Sequence, residues 1–489
     1  MLGRTRRVHF VGVGGSGMSG IAELLANLGY AVSGSDATLS PVTAHLASLG
    51  VRIEEGHVAG HIGDADVVVY SSAVRADNPE IVEATRRRIP VIPRAEMLAE
   101  LMRLKYSVAV AGAHGKTTTT SMIALVLERG GLDPTAVIGG RLSAFGSSAR
   151  LGRGDLIVVE ADESDRSFLK LTPSVAVITN IDQEHLESYR DFEDLQQAFV
   201  AFANKVPFYG TIVACADDAC LRRLLPAMTR RVVTYGLDTD GVHYRGVDVK
   251  GAGFDWRCTV VGDVRRAGGG DAAGPETLGQ IALRVPGRHN LQNALAAVAV
   301  GVELGLPFSR IAEALAEFRG AERRFQDHGE ARGVRVIEDY GHHPTEIAAV
   351  IGAARAALGG RLVVAFQPHR YSRTSRLLDR FGPALKGADV VVLTDIYAAG
   401  EDAIPGVTVD ALAEAIRRHV SAPLHLVRDV RDVPSEIARL AQPGDVVLTL
   451  GAGSIGAASE AIVSALRRHP GAALAGPGGA RNATGGDPS

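Results

Sequence analysis

Cysteine is nearly absent: the 489 residues contain three, Cys215, Cys220 and Cys258. So sparse and odd a set builds no disulfide framework, and its spacing fits no thiolate metal site. Buried, reduced thiols are expected instead. Long hydrophobic runs are missing too. The longest candidate, Asn293 to Leu306, is interrupted by Glu303, which excludes a membrane-spanning helix. Charge of one sign is not in excess, because 52 basic residues face 55 acidic ones for a net of −3. That balance excludes a strongly electrostatic nucleic-acid binder. Aromatics are scarce at 5%, whereas glycine is plentiful at 57. With 46% hydrophobic and 22% charged residues the composition is ordinary for a globular protein, which excludes disorder for most of the chain. Arg4, Arg6 and Arg7 precede an apolar stretch, as a secretion signal would begin. Gly12, Gly14, Gly15 and Gly17 break that stretch and no small-residue cleavage site follows, so a cytoplasmic location is expected.

At about 150 residues per domain the length predicts roughly three domains, and the patterning agrees. Residues 8–13, 31–36 and 67–70 read as buried strands, with a helix over Met18 to Leu28 and Ser71-Ser72 at the last strand's end. After a helix from Arg94 to Arg103, a second unit opens with a strand over Tyr106 to Ala111 and a helix over Lys116 to Arg129. Strands follow at 156–160, 175–179 and 211–214. Short alternating segments between about 238 and 285 predict a small antiparallel patch, with Arg266 to Glu276 as a surface loop, and a helix over Asn290 to Leu304 closes the unit. A third unit repeats the strand–helix alternation, with strands at 334–338, 362–366, 390–394 and 446–450. The expected fold class is α/β in three domains: a Rossmann-like N-terminal domain (1–104), a P-loop-type central domain with a parallel sheet plus the antiparallel patch (105–319), and a Rossmann-like C-terminal domain (320–468). A disordered tail (469–489) follows.

Between a strand and a helix lies Gly112-Ala113-His114-Gly115-Lys116-Thr117-Thr118. Glycines let backbone N–H groups approach phosphate oxygens, and the helix N-terminus adds a favourable dipole. In such a loop Lys116 reaches the β- and γ-phosphates and the Thr117 hydroxyl binds Mg²⁺. The spacing departs from the standard Walker loop, since Val110 stands where its first glycine belongs. The threonines after Lys116 are poor helix starters, which points to a purpose other than helicity. A second loop, Gly12-Val13-Gly14-Gly15-Ser16-Gly17-Met18, follows the first strand, with Asp36 at the end of the next. It fits a dinucleotide fingerprint, yet the same physics serves another diphosphate such as a UDP-sugar.

Carboxylates stand at strand ends, where open α/β sheets bind ligands. Glu160 ends a buried strand beside the triphosphate loop, a natural place to hold Mg²⁺, whereas Asp162, Glu163 and Asp165 suit a solvated acidic loop. His185 follows the next strand among further acids. Asn290 and Asn293, three apart, share a face of one helical turn, although N-capping alone explains one of them. Arg323-Arg324-Phe325, the run from Glu338 to Glu346, and the run from Gln367 to Thr374 with Arg370 and Arg373 suit recognition of carboxylate or phosphate.

With these motifs in this order, the chain from about residue 8 to 460 resembles the Mur ligases of peptidoglycan synthesis. Gly14-Gly15-Ser16-Gly17-Met18 is similar to the family's nucleotide-sugar loop, and Gly112 to Thr118 to its ATP loop. Glu160 to Ser164, His185, His289-Asn290 with Asn293, Arg323-Arg324-Phe325, Asp339 to Glu346 and His369 to Thr374 match as well. The resemblance implies ATP-driven amide formation through an acyl phosphate, with UDP-N-acetylmuramate and an amino acid as substrates. It implies that Lys116 stabilises the transferring phosphoryl group, that Thr117 and Glu160 hold one Mg²⁺, and that Glu160 with His185 serves a second, Mn²⁺ being able to substitute. Asn290 and Asn293 would face adenine, Arg324 the phosphates and Asp339 the ribose. Tyr340, His342, His343, Arg370 and Arg373 would lie by the amino acid and acyl phosphate. Gly14 to Met18, Asp36, Ser71 and Ser72 would hold the UDP-sugar. A monomer or homodimer is expected, with no nucleic-acid or membrane partner.

Two departures accompany the resemblance. Residues 192–204 contain no lysine, where sibling ligases carry a carbamylated one, and Glu187 replaces an aspartate two residues after the histidine. Both Gly14-Gly15 and His369-Arg370-Tyr371 favour members that add L-alanine over those that join a whole tripeptide. An NAD-dependent oxidoreductase would leave Lys116, Glu160 and His185 unexplained, and those intact residues also argue against an inactive UDP-sugar sensor.

Overall fold

Runs rich in valine and isoleucine pair into three sheets, as their β-branched side chains favour. The computed structural model describes residues 3–15, 17–71, 74–138, 149–184, 188–262 and 276–468. The first sheet contains β1 (Arg7–Val11), β2 (Ala31–Asp36), β3 (Arg52–Glu55), β4 (Val67–Tyr70) and β5 (Val91–Pro93) in the order β3-β2-β1-β4-β5, parallel throughout. Its order reverses at β1, so the glycine loop after β1 and Ser71 after β4 border the crevice where such sheets bind ligands. β1 stops at Val11, short of the expected Val13, because Gly12 turns the chain with φ 80°.

The second sheet has ten strands: β6 (Tyr106–Ala111), β7 (Thr135–Val137), β8 (Ala149–Arg150), β9 (Leu156–Glu160), β10 (Val175–Ile178), β11 (Thr211–Cys215), β12 (Val232–Gly236), β13 (Tyr244–Ala252), β14 (Asp255–Gly262) and β15 (Glu276–Leu283). Their order is β15-β14-β13-β12-β11-β10-β6-β9-β7-β8. β6, β9, β10 and β11 are almost wholly buried, as strands covered on both faces must be. The expected antiparallel patch exists as β13, β14 and β15, but it is not separate: β13 pairs in parallel with β12 and extends the main sheet. Glu276 opens β15 rather than ending a loop, and the rest of the expected 266–276 loop lies outside the described residues.

Helix Lys116–Arg129 starts directly after Gly115, whose φ is 80°. Thr119 and Thr120 in its first turns are fully buried, and Thr120 Oγ1 donates to Lys116 O at 2.8 Å. Packing therefore overrides their weak propensity. Beside it lies helix Arg288–Glu303, which begins two residues before the expected Asn290.

The third sheet orders β16 (Gln326–Ala331), β17 (Val334–Asp339), β18 (Leu362–Phe366), β19 (Val390–Leu393), β20 (Leu424–Leu426) and β21 (Val446–Leu450) as β16-β17-β21-β18-β19-β20. The chain packs as two compact units. One holds Met1–Gln326, Asp339–Gly359 and Gly400–Asp402, and the other holds Asp327–Glu338, Gly360–Ala399 and the residues from Ala403 onward. The expected tail at 469–489 lies outside the described residues. All three cysteines are free and buried, and burial pushes the Cys215 and Cys258 thiols up to about 12. Among the described residues no helix is long and apolar enough to cross a membrane.

Candidate active site

The loop after β6 is shaped by glycine conformations and pinned from β10. Gly112 has φ 141°, and a Cβ there would lie 2.0 Å from Thr179 Oγ1, so no other residue fits. Thr179 Oγ1 and Asn180 Nδ2 donate to His114 O at 2.6 and 3.0 Å, while His114 N donates to Asn180 Oδ1 at 2.8 Å. Lys116 Nζ donates to Gly112 O at 2.6 Å, Ala113 O at 3.2 Å and Glu163 Oε1 at 2.8 Å. Burial works against the ammonium charge, but Glu163, Asp162 and Glu160 outweigh it and raise the Lys116 pKa. Thr117 Oγ1 donates to Glu160 at 3.0 and 3.2 Å, which joins the helix start to the end of β9.

Glu163 requires a correction. It is 1% exposed, so it is no part of a solvated acidic loop. Its carboxylate pairs with Lys116, and its backbone carbonyl accepts from Tyr189 Oη at 2.5 Å. The solvated reading does hold for the exposed Asp165.

A cavity of about 410 Å³ opens from this loop, lined by His114, Gly115, Asn290, Asn293, Arg324 and Asp339 among others. It thus gathers most of the residues expected around a nucleotide. Neither asparagine caps its helix, whose N-cap is Gly287. Asn290 Nδ2 donates to Pro286 O at 2.7 Å and Asn293 Nδ2 to Asn290 Oδ1 at 3.2 Å. A Cβ on Gly115 would sit 2.8 Å from Asn293 Oδ1, so the loop after β6 and this helical turn touch. Arg324 Nη1 lies 3.6 Å from Glu346 Oε1, and its guanidinium lies 5.1 Å from the Tyr340 ring centroid. Burial together with the Arg324 charge pushes the His289 imidazole down to about 4, so it is neutral at physiological pH.

Asp339 accepts from Gly341 N at 2.7 Å and Phe325 N at 2.8 Å, yet burial outweighs these bonds and Arg324 and raises its pKa to about 6. Because the folded value exceeds the ordinary value of 3.8, this group stabilises the fold below about pH 4 and the contribution disappears as pH rises through about 6. Asp339→Asn, which cannot ionise, is expected to gain on the wild type in Tm when both are moved from about pH 5 to about pH 7. A Tm difference independent of pH would contradict this account of Asp339.

His114 stands among carboxylates: its Nε2 is 3.1 Å from Asp182 Oδ2 and its Nδ1 is 3.5 Å from Glu346 Oε1. Burial opposes its charge, but Asp182, Glu346 and Glu184 prevail and raise its pKa to about 10. His343 is the N-cap of helix Pro344–Ala357, and Glu346 accepts from the amides of His342 and His343 at 3.1 and 3.3 Å, a capping box. Thr345 Oγ1 donates to Asp182 Oδ2 at 3.1 Å. Sequence reasoning left Asp182, Glu184 and Glu346 without roles. Only Glu346 carried a signal, its place three residues after a helix N-cap.

The remaining expected residues divide between the loop after β1 and the second compact unit, apart from those outside the described residues. Gly14, Gly15, Gly17 and Met18 follow β1, and Asp36 Oδ2 accepts from Gly14 N at 2.8 Å, clamping the loop. Arg94, which carried no assignment, reaches this loop: a Cβ on Gly17 would meet its Nη1 at 2.7 Å. Ser16, Ser72 and His185 lie outside the described residues. Arg370 and Arg373 belong to the second compact unit, where Arg373 Nη1 is 3.3 Å from His369 Nδ1, and His342 and His343 belong to the first. A Cβ on Gly14 would already stand 3.0 Å from Asp36 Oδ2 and Thr43 Cγ2. Gly14→Val is therefore expected to weaken UDP-sugar binding by about tenfold or more, measured by calorimetry. Unchanged affinity would make the loop purely structural.

Largely parallel sheets with glycine loops at strand ends, and a lysine set among acids beside a polar cavity, define a nucleotide-using α/β enzyme. The chain belongs to the Mur ligase family. Residues 7–106 match "Mur ligase family, catalytic domain", 110–301 "Mur ligase middle domain" and 323–453 "Mur ligase, glutamate ligase domain". It is 51% identical to the UDP-N-acetylmuramate–L-alanine ligase of Syntrophotalea carbinolica, over 96% of this chain and 100% of that one. It is 54% identical to the enzyme of the same name from an Anaeromyxobacter species, over 95% and 98%. The crystal structure of the UDP-N-acetylmuramate–alanine ligase of Thermotoga maritima is similar with a TM-score of 0.79 and 30% identity, covering 94% of this chain and 98% of that one.

Proposed function

We propose that this chain uses ATP to join L-alanine to the lactyl carboxylate of UDP-N-acetylmuramate, yielding UDP-N-acetylmuramoyl-L-alanine, ADP and phosphate for peptidoglycan synthesis. The observation that carries this reading is identity of 51–54% over nearly the whole length to ligases named for that reaction. The placement of Lys116 and of the cavity beside it supports the ATP half.

A carboxylate oxygen of the sugar nucleotide attacks the γ-phosphorus, the bond to the bridging oxygen breaks, and ADP leaves. The alanine amine then attacks the acyl carbon, and phosphate departs with one oxygen that began on the carboxylate. Lys116 supplies positive charge to the transferring group, which such a step needs more than a protein base. Thr117 and Glu160 bring hydroxyl and carboxylate oxygens together, a donor set suited to Mg²⁺, and His185 is assigned to a second ion. Magnesium bound there would neutralise charge on the phosphate oxygens. Asn290 and Asn293 are assigned to adenine, Asp339 to ribose, and Arg324 to phosphate. Tyr340, His342, His343, Arg370 and Arg373 are assigned to the amino acid and acyl phosphate.

The domain limits read from the sequence and the cytoplasmic location belong to this same reading. Its test is isotopic: ¹⁸O in the lactyl carboxylate should appear in the released phosphate, one atom per turnover. Phosphate free of label would rule out the acyl phosphate.

A further inference from the structure

Two imidazoles and a carboxylate converge beside the loop after β6, and the imidazole nitrogens nearest the carboxylate are poorly hydrogen-bonded among the described residues. One ligating atom each from His114, Glu184 and His343 lies within 4.8 Å of the others. His114 Nδ1 is buried, 3.9 Å from Glu184 Oε1 and 3.5 Å from Glu346 Oε1, and makes no aligned hydrogen bond among the described residues. His343 Nδ1 stands 3.2 Å from the same Glu184 oxygen and accepts only a long 3.4 Å bond from Thr345 N. The His343 ring is 1% exposed, and its Nε2 has no partner among the described residues.

We propose that His114, Glu184 and His343 form a site for a borderline divalent transition ion such as Zn²⁺ or Co²⁺, distinct from the magnesium position at Thr117 and Glu160. Two imidazoles with one carboxylate suit these ions, whereas Mg²⁺ takes oxygen ligands. Tetrahedral bonds of about 2.0–2.1 Å place ligand atoms about 3.4 Å apart. The separations of 3.2 and 3.9 Å to Glu184 bracket that distance, so small side-chain rotations close the site.

The surroundings fit as well. Asp182 faces His114 Nε2 at 3.1 Å, the outer carboxylate that orients a metal-bound imidazole, and this turns Nδ1 toward the cluster. Glu346, held to the amides of His342 and His343, fixes the helix start that carries His343. Three protein ligands leave one position open for water or a substrate oxygen. The ion ties the phosphate loop, the segment after β10 and the first turn of helix Pro344–Ala357 into one wall of the cavity.

Titration of the full-length, chelator-stripped protein with Co²⁺, in the absence of nucleotide and sugar, tests the site. A single Co²⁺ should bind with the visible ligand-field absorption of an imidazole-bound ion, and Zn²⁺ should displace it. Glu184→Gln and His343→Asn should each weaken binding at least tenfold, asparagine keeping an acceptor for the helix cap. Thr117→Ala and Glu160→Gln should leave the absorption in place. An absent band on protein with native circular dichroism would overturn the proposal. So would a band that survives His343→Asn but disappears with Glu160→Gln, which would put the ion at the phosphates. With no substrate present, either outcome is independent of the ligase reading.

Discussion

Lys116→Ala is expected to lower kcat by about 10³-fold while leaving UDP-N-acetylmuramate affinity nearly intact. Lys116 is the cation set directly in the loop assigned to ATP, held by two loop carbonyls and Glu163. The loop assigned to the nucleotide sugar follows β1 in a different sheet, with its own clamp in Asp36. Removing the ammonium also takes from the buried Glu163 its lysine partner, so calorimetry with the sugar nucleotide serves as the control for folding. Turnover at the wild-type rate would refute the assignment of this loop to ATP.

Glu163→Gln is expected to lower stability by about 2 kcal/mol without nucleotide, and far less with saturating ATP and Mg²⁺. Breaking a buried ion pair removes the nearest compensation of the other charge, although Lys116 keeps Gly112 O and Ala113 O as acceptors and Asp162 and Glu160 as neighbouring charges. Phosphate oxygens supply the missing negative charge when ATP binds, so the deficit should be recovered and ATP affinity should not fall. Thermal melts of both proteins, each with and without ATP and Mg²⁺, make the comparison. Equal melting without nucleotide would show that Glu163 is a bystander.

Much of this site was legible because local chemistry fixes it. Helix Lys116–Arg129 begins and ends where the pattern placed it, since a buried valine-rich strand and a left-handed Gly115 leave the chain few alternatives. Asn290 and Asn293 share one turn because helical spacing requires it. The failures share another cause. Asp162, Glu163 and Asp165 look alike in sequence, and Glu163 is buried where Lys116 and Tyr189 arrive from other segments. His114 meets His343 with ring centroids 5.5 Å apart through tertiary packing that no local spacing encodes. Alternation revealed the strands of the antiparallel patch but not its partner, because period-2 patterning specifies a face and leaves the edge unassigned. The pairing of β13 with β12 settles it.

Phosphate release from ATP and Mg²⁺ tests the central claim most directly. The protein is given UDP-N-acetylmuramate with either L-alanine or the tripeptide L-Ala-γ-D-Glu-diaminopimelate. Release that requires both the sugar nucleotide and L-alanine is the predicted result. Release only with the tripeptide would make this a recycling ligase, and none with either acceptor would contradict the assignment altogether.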